Sequence, residues 1–205
     1  MVNEIIFIIL GYLSGSVLYA KIFGNLLKQK DITEESRDKN PGTANAFIQG
    51  GFWCGTCTLL FDLLKGFIPV FFYMRSRISS QQFDFLFPLI LAAPVWGHIF
   101  PVFFHFKGGK GITTTFGCLL GLIPYMKPAL VLVFFFLFFS LILRVTPHYD
   151  RTIWTYLASL LAMRWLKFHL FVVRGFLLIV VGVLIRLSHS TEEREKRRVR
   201  LLWMH

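Results

Sequence analysis

The sequence is poor in charged residues, and this shortage excludes an ordinary water-soluble protein. Only 16% of its 205 residues are charged, whereas 55% are hydrophobic and the mean hydropathy is +0.61. A soluble domain of this length could not bury so much apolar surface. The composition therefore predicts an integral membrane protein that crosses the bilayer several times.

Acidic residues are especially scarce, because 11 of them stand against 22 lysines and arginines and leave a net charge of +11. Binding to nucleic acid would need a soluble basic face, and the long apolar runs provide none, so no nucleic-acid partner is predicted. Basic loops at a membrane surface explain the same excess. The start, Met1 to Glu4, lacks the basic residues and cleavage site of a signal peptide, which predicts that the first helix is retained.

Cysteine is limited to Cys54, Cys57 and Cys118, an odd number without the pattern of a disulfide framework. The spacing of Cys54 and Cys57 is that of half a zinc or redox site, but no second pair of ligands follows. Two cysteines packed inside the membrane are the favoured interpretation. We therefore predict no metal site and no cofactor.

Hydrophobic runs predict an all-α, polytopic fold with about seven transmembrane helices, because a spanning helix needs about 20 apolar residues. Residues 43–51 predict a short helix or a re-entrant piece that closes at Gly50 and Gly51. No repeat or linker divides the chain, so residues 1–205 are predicted to form a single domain with a basic cytoplasmic tail over 188–205. Within this tail, the basic and amphipathic stretch 192–200 is predicted to lie along the anionic inner leaflet. The predicted crossings, two of them short, are 4–27, 52–73, 83–105, 112–123, 128–143, 151–166 and 168–187.

The distribution of lysine and arginine predicts the orientation of the chain. With the N-terminus outside and the C-terminus in the cytoplasm, the cytoplasmic loops and tail carry 14 basic residues and the opposite side carries five. All the polar loops then face the cytoplasm. Their shared side predicts one cytoplasmic site.

Two polar loops have the composition of anion-binding sites. Residues 40–45 combine Asn, Pro, Gly and Thr ahead of a predicted helix, where backbone N–H groups and the helix dipole favour an anion. Residues 107–111 contain Lys107 and Lys110 among three glycines, also ahead of a helix, and predict a phosphate nest. They are not a nucleotide-binding P-loop, because Phe104 and Gly111 stand where that motif needs Gly and Ser or Thr. An ordinary turn with an N-cap remains the alternative for residues 40–45. A tight interfacial turn with snorkelling lysines remains the alternative for residues 107–111.

Five further polar side chains lie within or next to predicted spans. Asp62 and Lys65 are three residues apart and share a helix face, which indicates an ion pair or a ligand contact. His98 is either a hydrogen-bonded core residue or a catalytic one. His189 begins the charged tail, and Ser16 lies among small residues that allow close helix packing.

Together these motifs resemble the PlsY family, the bacterial membrane glycerol-3-phosphate acyltransferases that use acyl-phosphate. They occur in the order and spacing of the family across residues 11–120. The matching stretches are Gly-Tyr-Leu-Ser-Gly-Ser (11–16), Asn-Pro-Gly-Thr-Ala-Asn (40–45), Asp-Leu-Leu-Lys-Gly (62–66), and Gly-His-Ile-Phe-Pro-Val-Phe (97–103) running into Phe-Lys-Gly-Gly-Lys-Gly (106–111).

The resemblance implies a seven-helix fold in the bacterial inner membrane with the active site facing the cytoplasm. It implies transfer of a fatty acyl group from acyl-phosphate to the sn-1 hydroxyl of glycerol 3-phosphate, giving lysophosphatidic acid for phospholipid synthesis, with no metal and no acyl-CoA. Besides the bilayer and these two substrates, an enzyme that supplies acyl-phosphate is a possible partner. The acceptor hydroxyl would lose its proton either to His98 or to the phosphate of the substrate.

The resemblance also assigns roles to residues of this chain. Lys110, His98 and His189 are expected to be catalytic. Ser16, Asp62 and Lys65 are expected to build the pocket. The expected contacts of substrate and phosphate are Arg37, Lys39, Asn40, Gly42, Asn45, Lys107, Gly108, Gly109 and Gly111.

The chain departs from the family pattern at three positions associated with glycerol phosphate. Asp38 replaces the usual Ser, Ile48 stands where an Arg is common, and Glu192 replaces the Asn of a C-terminal His-x-x-Asn pattern. Arg37 and Lys39 could compensate. The alternatives are a paralogue that acylates another polyol phosphate, a membrane transporter, and a non-catalytic structural homologue.

Overall fold

A computed structural model describes residues 2–28, 31–33, 36, 40–77, 85–189 and 198–201. Within them, strands β1 (Leu143–Thr146) and β2 (Arg198–Leu201) pair antiparallel and every other regular element is helical. The described residues also contain one 3-10 turn, Val102–Phe104, and one π-helical turn, Phe138–Ile142. The α-helices are α1 (Val2–Gly15), α2 (Tyr19–Lys28), α3 (Thr43–Ser76), α4 (Phe87–Ile99), α5 (Ile112–Leu120), α6 (Lys127–Leu137), α7 (His148–Trp165) and α8 (Leu170–Ser188).

The predicted helical membrane fold is confirmed, with one break that the hydropathy pattern did not indicate. The predicted span 4–27 is divided into α1 and α2 by residues 16–18. Counted as one broken span, α1 and α2 bring the helical units of the described residues to seven. Four of these are long and apolar enough to cross a membrane, namely 3–27, 43–76, 87–104 and 170–188. Helices α5 and α6 are shorter, and α7 is long enough but less apolar. The orientation stays a prediction.

Helix α3 joins two pieces that the sequence analysis separated. Its backbone hydrogen bonding runs from Thr43 to Ser76, but Gly51 has φ 80° and ψ −174°, outside the helical region. Only glycine adopts such a conformation without strain. The predicted short helix is therefore present as the first two turns of α3, set at an angle to the rest.

Helix α4 is the centre of the core. Most of its side chains are buried, and it packs against α1 on one side and α8 on the other. Apolar residues such as Leu91 and Val95 cover its whole circumference, as expected for a helix surrounded by other helices within a membrane. The end of α4 reaches the site, because His98 lies in its last turn.

The contact between α1 and α4 depends on a missing side chain. A methyl group on Gly15 would overlap the backbone of Pro94, whose Cα would lie only 2.8 Å away. Small residues at helix crossings let backbones approach in this way, and membrane helices depend on it because lipid provides no hydrophobic drive for packing. The small residues of the 11–16 stretch therefore act in helix packing.

The strand pairing was not predicted. The tail was expected to lie along the membrane surface, whereas its residues 198–201 pair with 143–146, with Val199 opposite Val145. The neighbouring parts of the tail, 190–197 and 202–205, lie outside the described residues.

Replacing Gly15 with alanine is expected to lower the free energy of unfolding by about 1–3 kcal/mol, because the added methyl group overfills the α1–α4 contact. The measurement is the midpoint of thermal unfolding in detergent. Gly11→Ala is the matched control, since a methyl group there meets its neighbours at an ordinary 3.4 Å and alanine favours the helix. Equal midpoints for the two variants would contradict the packing argument.

Candidate functional site

One cavity of about 440 Å³ gathers seven of the fifteen residues that were predicted for the site. It lies between the starts of α3, α5 and α7 and the end of α4. Both polar loops, 40–45 and 107–111, contribute to it. The residues that line it are Asn40, Gly42, Thr43, Ala44, Asn45, Phe47, Asp62, His98, Lys110, Gly111, Ile112, Thr113 and His148.

Three helix N-termini in the described part of the chain meet at this cavity. Helix α3 begins after Gly42, α5 begins after Gly111 and α7 begins at His148. The hydroxyls of Thr43 and Thr113 lie 3.0 Å apart and join the first turns of α3 and α5. The N–H groups of a first helical turn have no partner within the helix, and the helix dipole is positive there. The geometry therefore favours an anion in the cavity.

The loop before α3 is held by its own polar groups. The Asn45 side-chain amide and the Gly42 backbone N–H donate to the carbonyl oxygen of Asn40, at 2.8 and 2.9 Å. A side chain on Gly42 would come within 2.7 Å of the Asn40 amide nitrogen. The Asn-Pro-Gly motif thus folds back on the first turn of α3 and fixes one wall of the cavity.

The carboxylate of Asp31 anchors the chain between α2 and this loop. It accepts hydrogen bonds from the backbone N–H of Thr33 at 2.9 Å and from its hydroxyl at 2.6 Å, and Lys21 lies 2.9 Å away. Partial burial alone would raise the pKa of Asp31, but the bonds from Thr33 and Lys21 hold it below its usual value. This anchor stabilises the fold above the ordinary pKa of an aspartate, and its contribution is lost as the pH falls through the lowered one.

The glycine-rich loop is attached to the end of α4. The N–H groups of Gly108 and Gly109 donate to the carbonyl oxygens of Ile99 and His98, at 3.2 and 3.1 Å. The Gly108 carbonyl accepts from Arg186 Nε of α8 at 3.1 Å. These two N–H groups are therefore engaged by the protein, in contrast to the predicted phosphate nest.

The glycines of this loop act instead by leaving space. A side chain on Gly109 would overlap Nε2 of His98, so glycine lets the loop backbone approach that edge of the imidazole closely. Gly111, the residue before α5, has φ 77°, which favours glycine. The loop thereby brings Lys110, only 9% exposed, to the cavity wall.

A buried polar cluster lies behind the cavity. Lys65 Nζ is 2.7 Å from each of three acceptors, namely Asp62 Oδ1, His98 Nδ1 and the carbonyl oxygen of Val17. Asp62, Lys65 and His98 are each at most 3% exposed. A charged side chain near the bilayer centre costs about 2.5–3.5 kcal/mol, which the mutual pairing reduces. The predicted Asp62–Lys65 pair is thus present, and Lys65 also contacts His98.

Ser16 supports the cavity from outside its lining. Its hydroxyl donates to the Tyr12 carbonyl at 2.8 Å and accepts from the Val102 N–H at 3.4 Å. The Tyr12 hydroxyl donates to the Phe100 carbonyl at 2.6 Å. The end of α1 therefore holds the chain that leaves α4 toward the glycine-rich loop.

Several predicted residues lie elsewhere. Lys107 is exposed and is not among the lining residues. His189 follows α8, is exposed, and its Nδ1 lies 2.8 Å from the Ile185 carbonyl oxygen instead of facing the cavity. Arg37 and Lys39 fall outside the described residues, as do Asp38 and Glu192.

The structure adds lining residues that sequence reasoning missed. Thr113 comes two residues after the glycine motif and could have been found from its place in the first turn of a helix. His148 gave no signal, because the predicted helix began at Arg151 and left this histidine in a loop. The additional lining residues are Thr43, Ala44, Phe47, Ile112, Thr113 and His148.

Comparison with known proteins relates this site to a family of acyltransferases. The family model described as glycerol-3-phosphate acyltransferase matches residues 5–197. Proteins named glycerol-3-phosphate acyltransferase from Legionella pneumophila (strain Corby) and Actinobacillus pleuropneumoniae serotype 5b (strain L20) are both 41% identical, over 116 and 115 residues. Those alignments cover 57% and 56% of this chain but only 40% and 56% of the two relatives.

Solved structures show the same fold. The chain is similar to a crystal structure of PlsY (YgiH), an integral membrane glycerol 3-phosphate acyltransferase, in its glycerol 3-phosphate form. The TM-score is 0.76 at 25% identity, covering 91% of this chain and 88% of the other. The lysophosphatidic acid form has a TM-score of 0.73 at 24% identity and covers 90% and 87%.

Inorganic phosphate is expected to raise the thermal midpoint of the protein more than chloride at equal ionic strength, because an anion that binds only the folded state stabilises it. Lys110→Ala is expected to lose most of this increase. Lys107→Ala, which alters the exposed lysine of the same loop, is expected to keep it. Equal losses in the two variants, or no effect of phosphate on the unaltered protein, would contradict the proposed anion site.

Proposed function

The chain belongs to the glycerol-3-phosphate acyltransferase family, and on that premise we propose that it transfers a fatty acyl group from acyl-phosphate to the sn-1 hydroxyl of glycerol 3-phosphate. The products are lysophosphatidic acid and inorganic phosphate. The observation that carries the proposal is the meeting of three helix N-termini and Lys110 at one cavity. The solved relatives support it, because they are named in forms with glycerol 3-phosphate and lysophosphatidic acid, the acceptor and the product of this reaction.

The chemistry needs positioning more than a protein nucleophile. An acyl-phosphate is a mixed anhydride and is already activated. The acceptor oxygen attacks the acyl carbonyl carbon, a new C–O bond forms, and the bond to the phosphate oxygen breaks, so that phosphate leaves with the electron pair. The hydroxyl proton goes either to His98 or to a phosphate oxygen of a substrate.

The cavity supplies what this step requires. Both substrates carry phosphate, and negative charge develops on the carbonyl oxygen during attack. Lys110 and the N–H groups at the starts of α3, α5 and α7 can stabilise that charge without rearranging. His148, at the start of α7, adds a further polar contact for the acceptor.

The identity of the acceptor depends on the positions that depart from the family pattern. Ile48, which stands where the family commonly has arginine, is 73% exposed on α3 and cannot replace the charge of that residue. His148 and Lys110 then remain in the described cavity wall to bind the acceptor. We propose glycerol 3-phosphate as the acceptor, and a different polyol phosphate is the outcome that the assay below would detect.

We place the protein in the bacterial inner membrane with the cavity facing the cytoplasm. Glycerol 3-phosphate is water-soluble, whereas the acyl chain of the donor partitions into lipid. A polar cavity at helix termini suits substrates that arrive from both phases, because its glycine-rich loop directly follows a segment with the exposed apolar side chains Phe103 and Phe106. A partner enzyme that makes acyl-phosphate would deliver the donor through the bilayer.

Purified protein is expected to release phosphate from palmitoyl-phosphate only when glycerol 3-phosphate is present, because the acceptor hydroxyl is the nucleophile. The assay compares a panel of polyol phosphates and identifies the lipid product. Lys110→Ala is expected to lower the rate by at least about 10²-fold, as for loss of a group that stabilises the transition state, while the protein still inserts normally. The proposal would be contradicted if the protein transferred the acyl group to none of the polyol phosphates, or if Lys110→Ala kept full activity.

The orientation can be tested with single cysteines placed in a variant whose native cysteines are replaced by serine. Cysteine at exposed position 107 is expected to react with a membrane-impermeant maleimide only in inside-out vesicles. Cysteine at exposed position 127, on the opposite side of the predicted topology, is expected to react only in intact spheroplasts. The reverse pattern would show that the cavity faces away from the cytoplasm.

A further inference from the structure

The ribbon formed by strands β1 and β2 is rich in arginine and contains no acidic residue. Arg144 lies in β1, and Arg198 and Arg200 lie in β2. In the register Arg144 stands directly opposite Arg200. Successive positions of a strand alternate between two faces, so these three positions belong to one face of the ribbon. Like charges directly opposite each other destabilise a strand pair, and an anion beside the ribbon would offset that repulsion.

A fourth arginine lies beside the ribbon at the start of α7. Arg151 is the fourth residue of that helix, and it is close enough to Arg144 for their two charges to repel each other. Nε of Arg151 is buried, and no acceptor among the described residues bonds to it. A cation near a helix N-terminus also opposes the positive end of the helix dipole. One anion at this point would satisfy the buried donor and offset both repulsions.

No acidic side chain of the described residues neutralises the two arginines. Asp150 precedes Arg151 and is buried, but the ion pairs within the described part of the chain include neither Arg151 nor Arg144. Neither arginine lines the cavity, so an anion bound there is not their partner. The observations therefore favour an anion that comes from outside the protein.

Apolar side chains around the arginines indicate that this anion belongs to a lipid. Leu141 and Ile142, directly before β1, are exposed, and so is Val199 of β2. Trp154, three residues after Arg151 on the same face of α7, is exposed as well. Tryptophan is enriched where a membrane meets water. Arginines beside exposed apolar groups match a lipid, whose phosphate binds the charges while its chains cover the apolar side chains.

We propose that Arg144, Arg151 and the ribbon form a binding site for the headgroup of an anionic phospholipid, separate from the cavity. A guanidinium group matches the geometry of phosphate and binds it through two parallel hydrogen bonds. In the predicted topology the ribbon lies on the cytoplasmic side, where the inner leaflet carries anionic lipid. The site is joined to the cavity through the chain, because β1 leads through Pro147 into His148 of the cavity wall.

The first test measures the thermal midpoint of the purified protein in neutral detergent with added phosphatidylglycerol or phosphatidylcholine at equal mole fraction. We expect phosphatidylglycerol to raise the midpoint and phosphatidylcholine to leave it nearly unchanged, because a ligand that binds the folded state stabilises it. No effect of phosphatidylglycerol, or an equal effect of the two lipids, would contradict the proposal.

The source of the phosphate is tested in Lys110→Ala, which weakens anion binding in the cavity. In this variant phosphatidylglycerol is expected to keep its full effect, whereas inorganic phosphate is expected to have little. An equal effect of inorganic phosphate would show that the arginines bind free phosphate and would overturn the lipid assignment. Loss of the phosphatidylglycerol effect would show that the lipid binds in the cavity instead.

The second test removes the two charges with Arg144→Gln/Arg151→Gln. We expect about 30-fold weaker binding of phosphatidylglycerol, judged by the lipid concentration at half of the midpoint increase, since each basic residue near an anionic surface contributes about fivefold. Arg164→Gln/Lys167→Gln is the matched control, because it removes two exposed charges at the opposite end of α7. This control is expected to keep the affinity. Equal losses in both double variants would show only general attraction between charges and would overturn the site.

Arg144→Gln changes one exposed residue and keeps the comparison open if the double variant fails to fold. We expect about fivefold weaker binding of phosphatidylglycerol. Without lipid its midpoint should be unchanged or higher, because one of two repelling charges is gone. Full affinity, or a lower midpoint without lipid, would contradict the proposal. None of these measurements uses an acyl donor, so absence of acyl transfer would refute the proposed function and leave them valid.

Discussion

The contacts of one buried lysine join the parts of the molecule on which the cavity depends. Lys65 of α3 bonds to His98 of α4 and to the Val17 carbonyl at the break between α1 and α2. The backbone carbonyl of Lys65 in turn accepts a hydrogen bond from the Ser14 hydroxyl of α1. In a bilayer no water can solvate these groups, so each must find a partner inside the protein. Moving any of these helices would leave a polar group unpaired in a medium where that is costly.

The same constraint explains why the cavity forms at helix ends. Within a membrane helix every N–H is bonded to the backbone, and free donors exist only in the first turn. A site that binds anions must therefore collect N-termini, and here the hydroxyl contact between Thr43 and Thr113 holds two of them together. Glycine serves this arrangement by leaving space, at Gly15 for the α1–α4 contact and at Gly109 for the edge of His98.

Much of the fold could be predicted, because the hydropathy pattern reports directly on lipid contact. The apolar runs located the helices, and the order of the motifs indicated the family. The break at residues 16–18 was missed, since Ser14, Gly15 and Ser16 are compatible with a continuous span and the break depends on partners such as the Val102 N–H. The pairing of β1 with β2 was missed as well, because it joins segments more than fifty residues apart in the chain.

The sequence alone determined the membrane class, the approximate helices and the identity of the polar residues that the cavity would need, including Asn40, His98 and Lys110. These follow from residue type and from spacing along a helix, which are local properties. Only the tertiary structure decided that the N–H groups of Gly108 and Gly109 bond to α4, that His148 enters the cavity wall, and that Lys65 faces Nδ1 of His98. Those outcomes depend on distances between separate helices, which are set by side-chain packing and not by any one segment of the chain.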